Sequence, residues 1–404
     1  MRDIAAKTST ENNLWFFFTL LYLFVDYGRP QDILPFIGPL GPGVIIISIL
    51  AFYLLISGKI RLSGSKQTFL ILFFIGLLAI HVPIARNNYY AYITTRLMLL
   101  FIPFILSIII VVNSIERLKK IISINIILMF YISLYAYFHH GIGGSHYFHD
   151  ENDFALYINA ILPFCFYSFL YEKKKIKKTA YAIVAIIGVL SIVVSFSRGG
   201  FIGLVAIALF AWLFSGKKLK SLIVISLLSV LLYVYTGPEY RKEMSTITDT
   251  KSGTIHGRIL TWESAWRMFL DNPLGVGGSN FPVRFPEYQS PEFKRDMWGR
   301  VAHSLWFQLI SELGVPGILI YFALLYYNLK DIFFLRKLKH YDDPDLRYLY
   351  YLSLAFIASF AGFFASGTGL SVLYYPHYWY LTGILVAMKK IANTILTEQT
   401  MHKL

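Results

Sequence analysis

Apolar runs long enough to enter a bilayer alternate with short polar turns along most of the chain. Twelve are read, at about 14–27, 42–57, 68–85, 97–113, 121–138, 155–171, 179–197, 200–214, 221–236, 303–327, 347–366 and 374–388. A straight helix needs roughly 20 apolar residues to cross the hydrocarbon layer. Several runs are shorter, and flanking aromatic residues complete them. The first run resembles a signal sequence, but Asp26, Tyr27 and Gly28 follow it instead of a small-residue cleavage site. The pattern predicts an all-α polytopic membrane protein, forming one integrated membrane domain. About nine spans fall in residues 1–236, a polar stretch occupies 237–302, and about three spans fall in 303–404.

The polar stretch 237–302 breaks the short-turn rhythm. It contains Pro238, Pro273, Pro282, Pro286 and Pro291, yet also Trp262, Trp266, Phe269, Phe281, Phe285 and Trp298. That aromatic content argues for order. A long ordered loop between compact elements is usually functional. Within it, Ile259, Leu260, Trp262, Ala265, Trp266 and Phe269 recur at helical spacing over 257–271. Pro273 ends the pattern. The expectation is an amphipathic helix lying at the outer membrane surface.

Composition agrees with this pattern. Of 404 residues 56% are hydrophobic and 15% charged, against roughly 25% charged in soluble domains. A soluble enzyme, a disordered chain and a disulfide scaffold are excluded. The single cysteine, Cys165, lies in an apolar run and makes no intrachain disulfide. The formal net charge of +14 does not point to nucleic acid, because the basic residues cluster in short segments between apolar runs. With the N-terminus inside, alternate segments hold clusters such as Lys173, Lys174, Lys175, Lys177 and Lys178, or Lys217, Lys218 and Lys220. The short outer segments hold only Arg29, Arg86, Arg96 and Arg198. Retention of Lys and Arg on the cytoplasmic side gives this asymmetry, so both termini are expected inside and 237–302 outside.

Three basic side chains on the outer face are candidates for chemistry. Arg198 sits in Ser195-Phe196-Ser197-Arg198-Gly199-Gly200, with apolar runs on both sides and two glycines to permit a tight turn. A charge at the edge of the hydrocarbon layer is a functional candidate, though an arginine snorkelling to lipid phosphates would look the same. Arg258 opens the amphipathic helix and Arg267 follows nine residues on; pattern alone favours a solvated loop charge for Arg258. His303, in Ala302-His303-Ser304-Leu305-Trp306, marks re-entry into the membrane. It is equally readable as a general base or as structure. Taken together, two guanidiniums suit a diphosphate, and a histidine beside them suits proton removal from a hydroxyl. The substrate expected at a lipid surface is then a polyprenyl-diphosphate glycan, transferred to an acceptor hydroxyl.

A second cluster lies at His139, His140, His146, His149, Asp150, Glu151 and Asp153. These are metal-ligand types, but no pair has i, i+4 spacing on a clear helix, and Gly141, Gly143, Gly144 and Ser145 suggest a mobile loop. No metal is expected. Asn152 and Asp153 are instead candidates for binding sugar hydroxyls.

These residues carry a resemblance to the O-antigen ligase and O-antigen polymerase superfamily of bacterial inner-membrane proteins. Its Ser-Arg-Gly element looks like Ser197-Arg198-Gly199. Its loop arginine, tryptophan and Pro-x-Gly-x-Gly turn look like Arg258, Trp262 and Pro273-Leu274-Gly275-Val276-Gly277. Its ligase-type pattern of His, a small polar residue, then a Gly-x-x-Gly after nine residues fits His303-Ser304 and Gly314-Val315-Pro316-Gly317. The resemblance implies a GT-C-like, all-helical fold of about twelve spans with one large periplasmic loop. It implies that Arg198 and Arg258 bind the diphosphate of an undecaprenyl-linked glycan and that His303 activates the acceptor hydroxyl. Trp262, Arg267 and Ser304 are placed beside them on the substrate. Neither ATP nor a metal ion nor another cofactor is implied. The acceptor implied is lipid A-core, with O-antigen or exopolysaccharide polymerisation and protein O-glycosylation open as alternatives. Arg267 and Gly278 show the polymerase spacing once, and the Met1-Arg2-Asp3-Ile4 opening leaves an acceptor other than lipopolysaccharide open. A transporter of lipid-linked glycans is the rival from another class, but transporters bury ionisable groups at mid-membrane, and these spans are nearly free of charge at their centres.

Overall fold

The computed structural model describes residues 2–139, 141–143, 148, 150–245 and 253–401. Among the described residues there are sixteen α-helices and no strand. They are α1 (Arg2–Gly28), α2 (Pro30–Ile33), α3 (Pro42–Ser57), α4 (Lys66–His81), α5 (Asn88–Val111), α6 (Ile115–Phe138), α7 (Glu151–Tyr171) and α8 (Lys175–Val194). There follow α9 (Arg198–Leu213), α10 (Lys218–Tyr235), α11 (Pro238–Ser245), α12 (Gly253–Asp271), α13 (Phe281–Tyr288), α14 (Leu305–Arg336), α15 (Pro344–Gly367) and α16 (Pro376–Met401). Each of the twelve apolar runs lies on a helix. Among the described residues eight segments are, by length and composition, long and apolar enough to cross a membrane, whereas α4 and α9 are apolar but only 16 residues long. The chain is an all-helical polytopic membrane protein.

Local sequence explains where the helices begin. Ser65, Asn87, Ser114, Asp150, Ser197, Ser304 and Asp343 each precede an apolar run, and the side chain of each accepts a backbone N–H of the first turn. Such caps satisfy donors that a helix start otherwise leaves open. The buried centre is α7, packed between α15, α9 and α8; α5 forms a second centre with α16, α1 and α3. α10 rests mainly on α9 and leaves its apolar surface uncovered, as a lipid-facing helix does.

Polar side chains inside this bundle fix α9. Asn159 of α7 donates to the carbonyl of Gly200 (2.8 Å) and to Ser366 Oγ (3.1 Å), and Ser366 donates to the carbonyl of Gly199 (3.1 Å). The three helices approach this closely because Gly203 lacks a side chain: a Cβ there would collide with Ser366 Oγ and Asn159 Nδ2. Gly199 and Gly200 are both helical, and at Gly200 a Cβ would collide with Ala155. The tight turn expected of them is made instead by Phe196, in the left-handed region at φ 53°.

The span expected at 303–327 is not one straight helix. Gly314 is non-helical, at φ 60° and ψ −158°, and breaks α14 into two limbs. Trp306 stacks on Phe322 with ring centroids 5.8 Å apart and meets Tyr321 edge-on at 6.5 Å. In a straight helix residues 306 and 322 would stand about 24 Å apart. The first limb thus folds back against the second. The Pro273–Gly277 turn plugs the break. Val315 N–H donates to the carbonyl of Pro273 (2.8 Å), while Val276 and Gly277 N–H donate to the carbonyls of Ser311 (3.0 Å) and Glu312 (2.8 Å). The Glu312 carboxylate, buried, accepts from Ser279 N–H (3.0 Å), Phe281 N–H (3.3 Å) and Tyr374 Oη–H (2.6 Å).

A Cβ at residue 314 would collide with the carbonyl of Pro273, and a non-glycine residue in that conformation carries about 1–3 kcal/mol of strain. Gly314→Ala is expected to lower the melting temperature of the purified protein clearly, whereas Gly216→Ala, which opens onto empty space, leaves it unchanged. Equal melting temperatures for the two variants would contradict the docked break.

Candidate functional site

Three elements converge where α9 begins. Arg198 is the first residue of α9, and Ser197 ahead of it both caps the helix (Gly200 N–H, 2.9 Å) and donates to Asn152 Oδ1 (2.8 Å). The guanidinium of Arg198 is one-fifth exposed and stands 3.4 Å from the carboxylate of Glu243. α9 is about 24 Å long at 1.5 Å per residue, less than the ~30 Å hydrocarbon thickness. Its first turn lies level with the start of α7 and the end of α15, since Gly199 adjoins Asn152 and Ser366.

Arg258 lies in the first turns of α12, half-buried. Its guanidinium reaches the backbone at Gly369, just beyond α15, where an added Cβ would stand 3.2 Å from Nη1. Burial first, and then the charge of Arg198, pull its pKa below the ordinary arginine value; the Asp150 carboxylate acts the other way. A second positive charge set near Arg258 in a half-buried site makes a place where an anion is stabilised.

His303 is fixed from several sides. Its backbone is left-handed at φ 47°, a conformation that persists only where neighbours impose it. Its N–H donates to Ser371 Oγ (2.9 Å). The preceding carbonyl, of Ala302, accepts from Trp262 Nε1 (3.1 Å), and the Trp262 ring stacks on Phe307 at 5.4 Å. The following residue, Ser304, caps α14 through Phe307 N–H. Burial, then the charges of Arg258 and Arg300, push the His303 imidazole down to about 4. It is therefore neutral near pH 7 and able to accept a proton.

The structure brings Arg198, Arg258 and His303 together and adds a residue that pattern reasoning missed. Arg300 donates to Thr261 Oγ1 (2.6 Å) and to the carbonyl of Gly257 (3.0 Å), and lies 5.0 Å over the Phe293 ring. It ties the segment before His303 to the turn of α12 that carries Arg258. In sequence it is one of many loop charges, and only its spacing of three from His303 hints at more. Asn159 and Ser366 were missed as well; each is a polar residue interrupting an apolar run.

The other expected residues divide. Asn152 adjoins Arg198 through Ser197, while Asp153 is turned to Tyr375, accepting its hydroxyl at 2.7 Å. The Ser304 hydroxyl is used as a cap. Arg267 is exposed, more than two turns along α12 from Arg258. α12 is amphipathic as expected: Leu260, Ala265 and Met268 are buried and Trp266 is half exposed. His140, His146 and His149 lie outside the described residues, and Asp150 caps α7.

Residues 182–322 match the family model described as O-antigen ligase. No curated protein matches the chain. The matched stretch runs from α8 into α14, contains Arg198, Arg258 and His303, and supports the likeness to the O-antigen ligase superfamily.

Proposed function

We propose that the chain is an O-antigen ligase-type glycosyltransferase at the periplasmic face of the bacterial inner membrane. It moves a glycan from undecaprenyl diphosphate to an acceptor hydroxyl, that of lipid A-core. One observation carries the reading: His303, on a left-handed backbone held by Ser371 and Trp262, lies in the field of Arg258, which in turn lies in the field of Arg198, and burial keeps the imidazole neutral.

In this reading Arg198 and Arg258 hold the donor diphosphate as fork donors. His303 accepts the proton of the acceptor hydroxyl as its oxygen bonds to the anomeric carbon. The anomeric C–O bond breaks, and undecaprenyl diphosphate leaves with the electron pair. The guanidiniums stabilise the charge that grows on the leaving oxygen. Asn152, through Ser197, holds the Arg198 end of the cradle, and Asp153 lies on the glycan side. Trp262 and Ser304 set the His303 backbone, and Arg267 lines the approach along α12. This chemistry uses no ATP and no metal ion.

Purified protein is incubated with polyprenyl-diphosphate oligosaccharide and lipid A-core, with and without EDTA, and transfer is read as a mobility shift of lipid A-core. Transfer is expected in both conditions. Removing a general base typically costs 10²–10⁴-fold, so His303→Ala is expected to lose at least about a hundredfold. Arg198→Lys and Arg258→Lys are expected to rescue poorly, because a point charge lacks the fork. Undiminished transfer by His303→Ala would remove the base assignment, and lengthening of the polyprenyl-linked glycan in place of transfer would make the chain a polymerase.

The depressed His303 pKa also sets a pH profile. The active form is unprotonated, so activity holds as pH falls from 7 and is lost only as pH approaches about 4. Arg300→Gln removes one of the charges that disfavour imidazolium. Its acidic limb is expected to move upward, toward the ordinary histidine value. An acidic limb that stays in place would show that Arg300 does not act on His303.

A further inference from the structure

A groove of about 590 Å³ runs along the outer side of α12, lined by Ile259, Trp262, Glu263, Trp266, Arg267 and Phe307. Its volume lies within the range of small-molecule sites. Its ends are fixed by hydrogen bonds already described. α12 begins beside residues 300–303, through Arg300 and Trp262, and the turn after it is bonded to Val315. The groove therefore follows the first limb of α14. It starts next to Arg258 and His303 and runs about 13 Å, to Arg267.

The lining alternates ring and charge. Trp262 and Trp266 are four residues apart, and so are Glu263 and Arg267, so one ring and one charged group stand at each of two successive turns. Trp266 is 49% exposed. Among the described residues Glu263 and Arg267 form no ion pair with each other or with another side chain. A hydrocarbon chain would bury the rings but strand both charges. A sugar ring meets both: its C–H face lies on the negative face of an indole, and its hydroxyls hydrogen bond a carboxylate and a guanidinium. The groove also lies on the His303 side of the site, reached through Trp262 and Phe307, not on the α9 side that carries Arg198.

We propose that this groove binds the saccharide of the acceptor, stacking its rings on Trp262 and Trp266 and bonding its hydroxyls to Glu263 and Arg267. It rests on the transfer reading above, with the acceptor hydroxyl delivered to His303 from the groove.

Two measurements test it separately from catalysis. The first is saturation-transfer NMR of lipid-free core oligosaccharide, released by mild acid, with His303→Ala protein in detergent. Binding is expected there, and is expected to be lost when Trp266→Ala is added and weakened by Arg267→Gln. The second is steady-state transfer. Trp266→Ala and Arg267→Gln are expected to raise the acceptor KM roughly tenfold, the usual scale for an aromatic or arginine anchor, with kcat and donor KM little changed. Leu270→Ala, exposed on the same helix outside the groove, is expected to change neither. A rise in donor KM alone would assign the groove to the donor and overturn the proposal, as would an unchanged acceptor KM in both variants or no binding by His303→Ala protein. If the wild-type protein transfers no glycan to the acceptor, the transfer reading fails, whereas the NMR result continues to decide the groove.

Discussion

The site depends on a broken helix. At Gly314 the chain abandons helical backbone, and the Pro273–Gly277 turn supplies the hydrogen bonds that the break leaves open. Buried backbone groups in a membrane protein must find such partners, because lipid offers none. Two consequences follow from this one arrangement. The first limb of α14 is folded back, which carries His303 inward beside Phe322 and Phe364 by way of Trp306. The same turn holds the end of α12, so that helix lies along the first limb with Arg258 at the level of His303. An arginine and a histidine 45 positions apart are in this way presented together by a single junction.

The second arginine arrives by a different route. Asn159 and Ser366 bond the backbone of Gly199 and Gly200 and draw the start of α9 against α7 and α15. The first turn of α9 is thereby held level with the start of α7 and the end of α15. The outcome is a cationic place with aromatic walls at one end of the bundle. Burial holds His303 neutral, and the charges of Arg258 and Arg300 reinforce it. A lipid-linked diphosphate entering there would relieve the repulsion between the guanidiniums, so the electrostatic cost is built into the protein before the substrate binds.

Much of this was legible in the sequence. Apolar runs and polar caps determine helices, and both are local, so all twelve runs lie on helices and α12 is found where its periodicity puts it. Arg198 and His303 stood out because each is a charge or titratable group at the edge of an apolar run, whereas Arg258, by pattern a solvated loop charge, became a candidate through the family resemblance. The reversal at Gly314 was not legible. Gly314-Val315-Pro316-Gly317 lies in a run that continues to look helical, and the partner that stabilises the break is a turn some forty residues earlier. Arg300 was hidden for the related reason that its role is defined by Gly257 and Thr261 across the loop, while its own neighbours, Gly299 and Val301, carry no pattern. Asn159 and Ser366 are visible as polar interruptions, but only packing pairs them.

The central claim is that a diphosphate lies between Arg198 and Arg258 with the acceptor hydroxyl facing His303. The most direct measurement is an electron cryo-microscopy structure in a lipid nanodisc with a non-transferable phosphonate analogue of a polyprenyl-diphosphate sugar. The account predicts phosphoryl oxygens within about 3 Å of both guanidiniums, and an imidazole nitrogen of His303 within about 3.5 Å of the face from which a hydroxyl reaches the anomeric carbon. A diphosphate bound away from either arginine, or an anomeric carbon that His303 cannot approach, would contradict it.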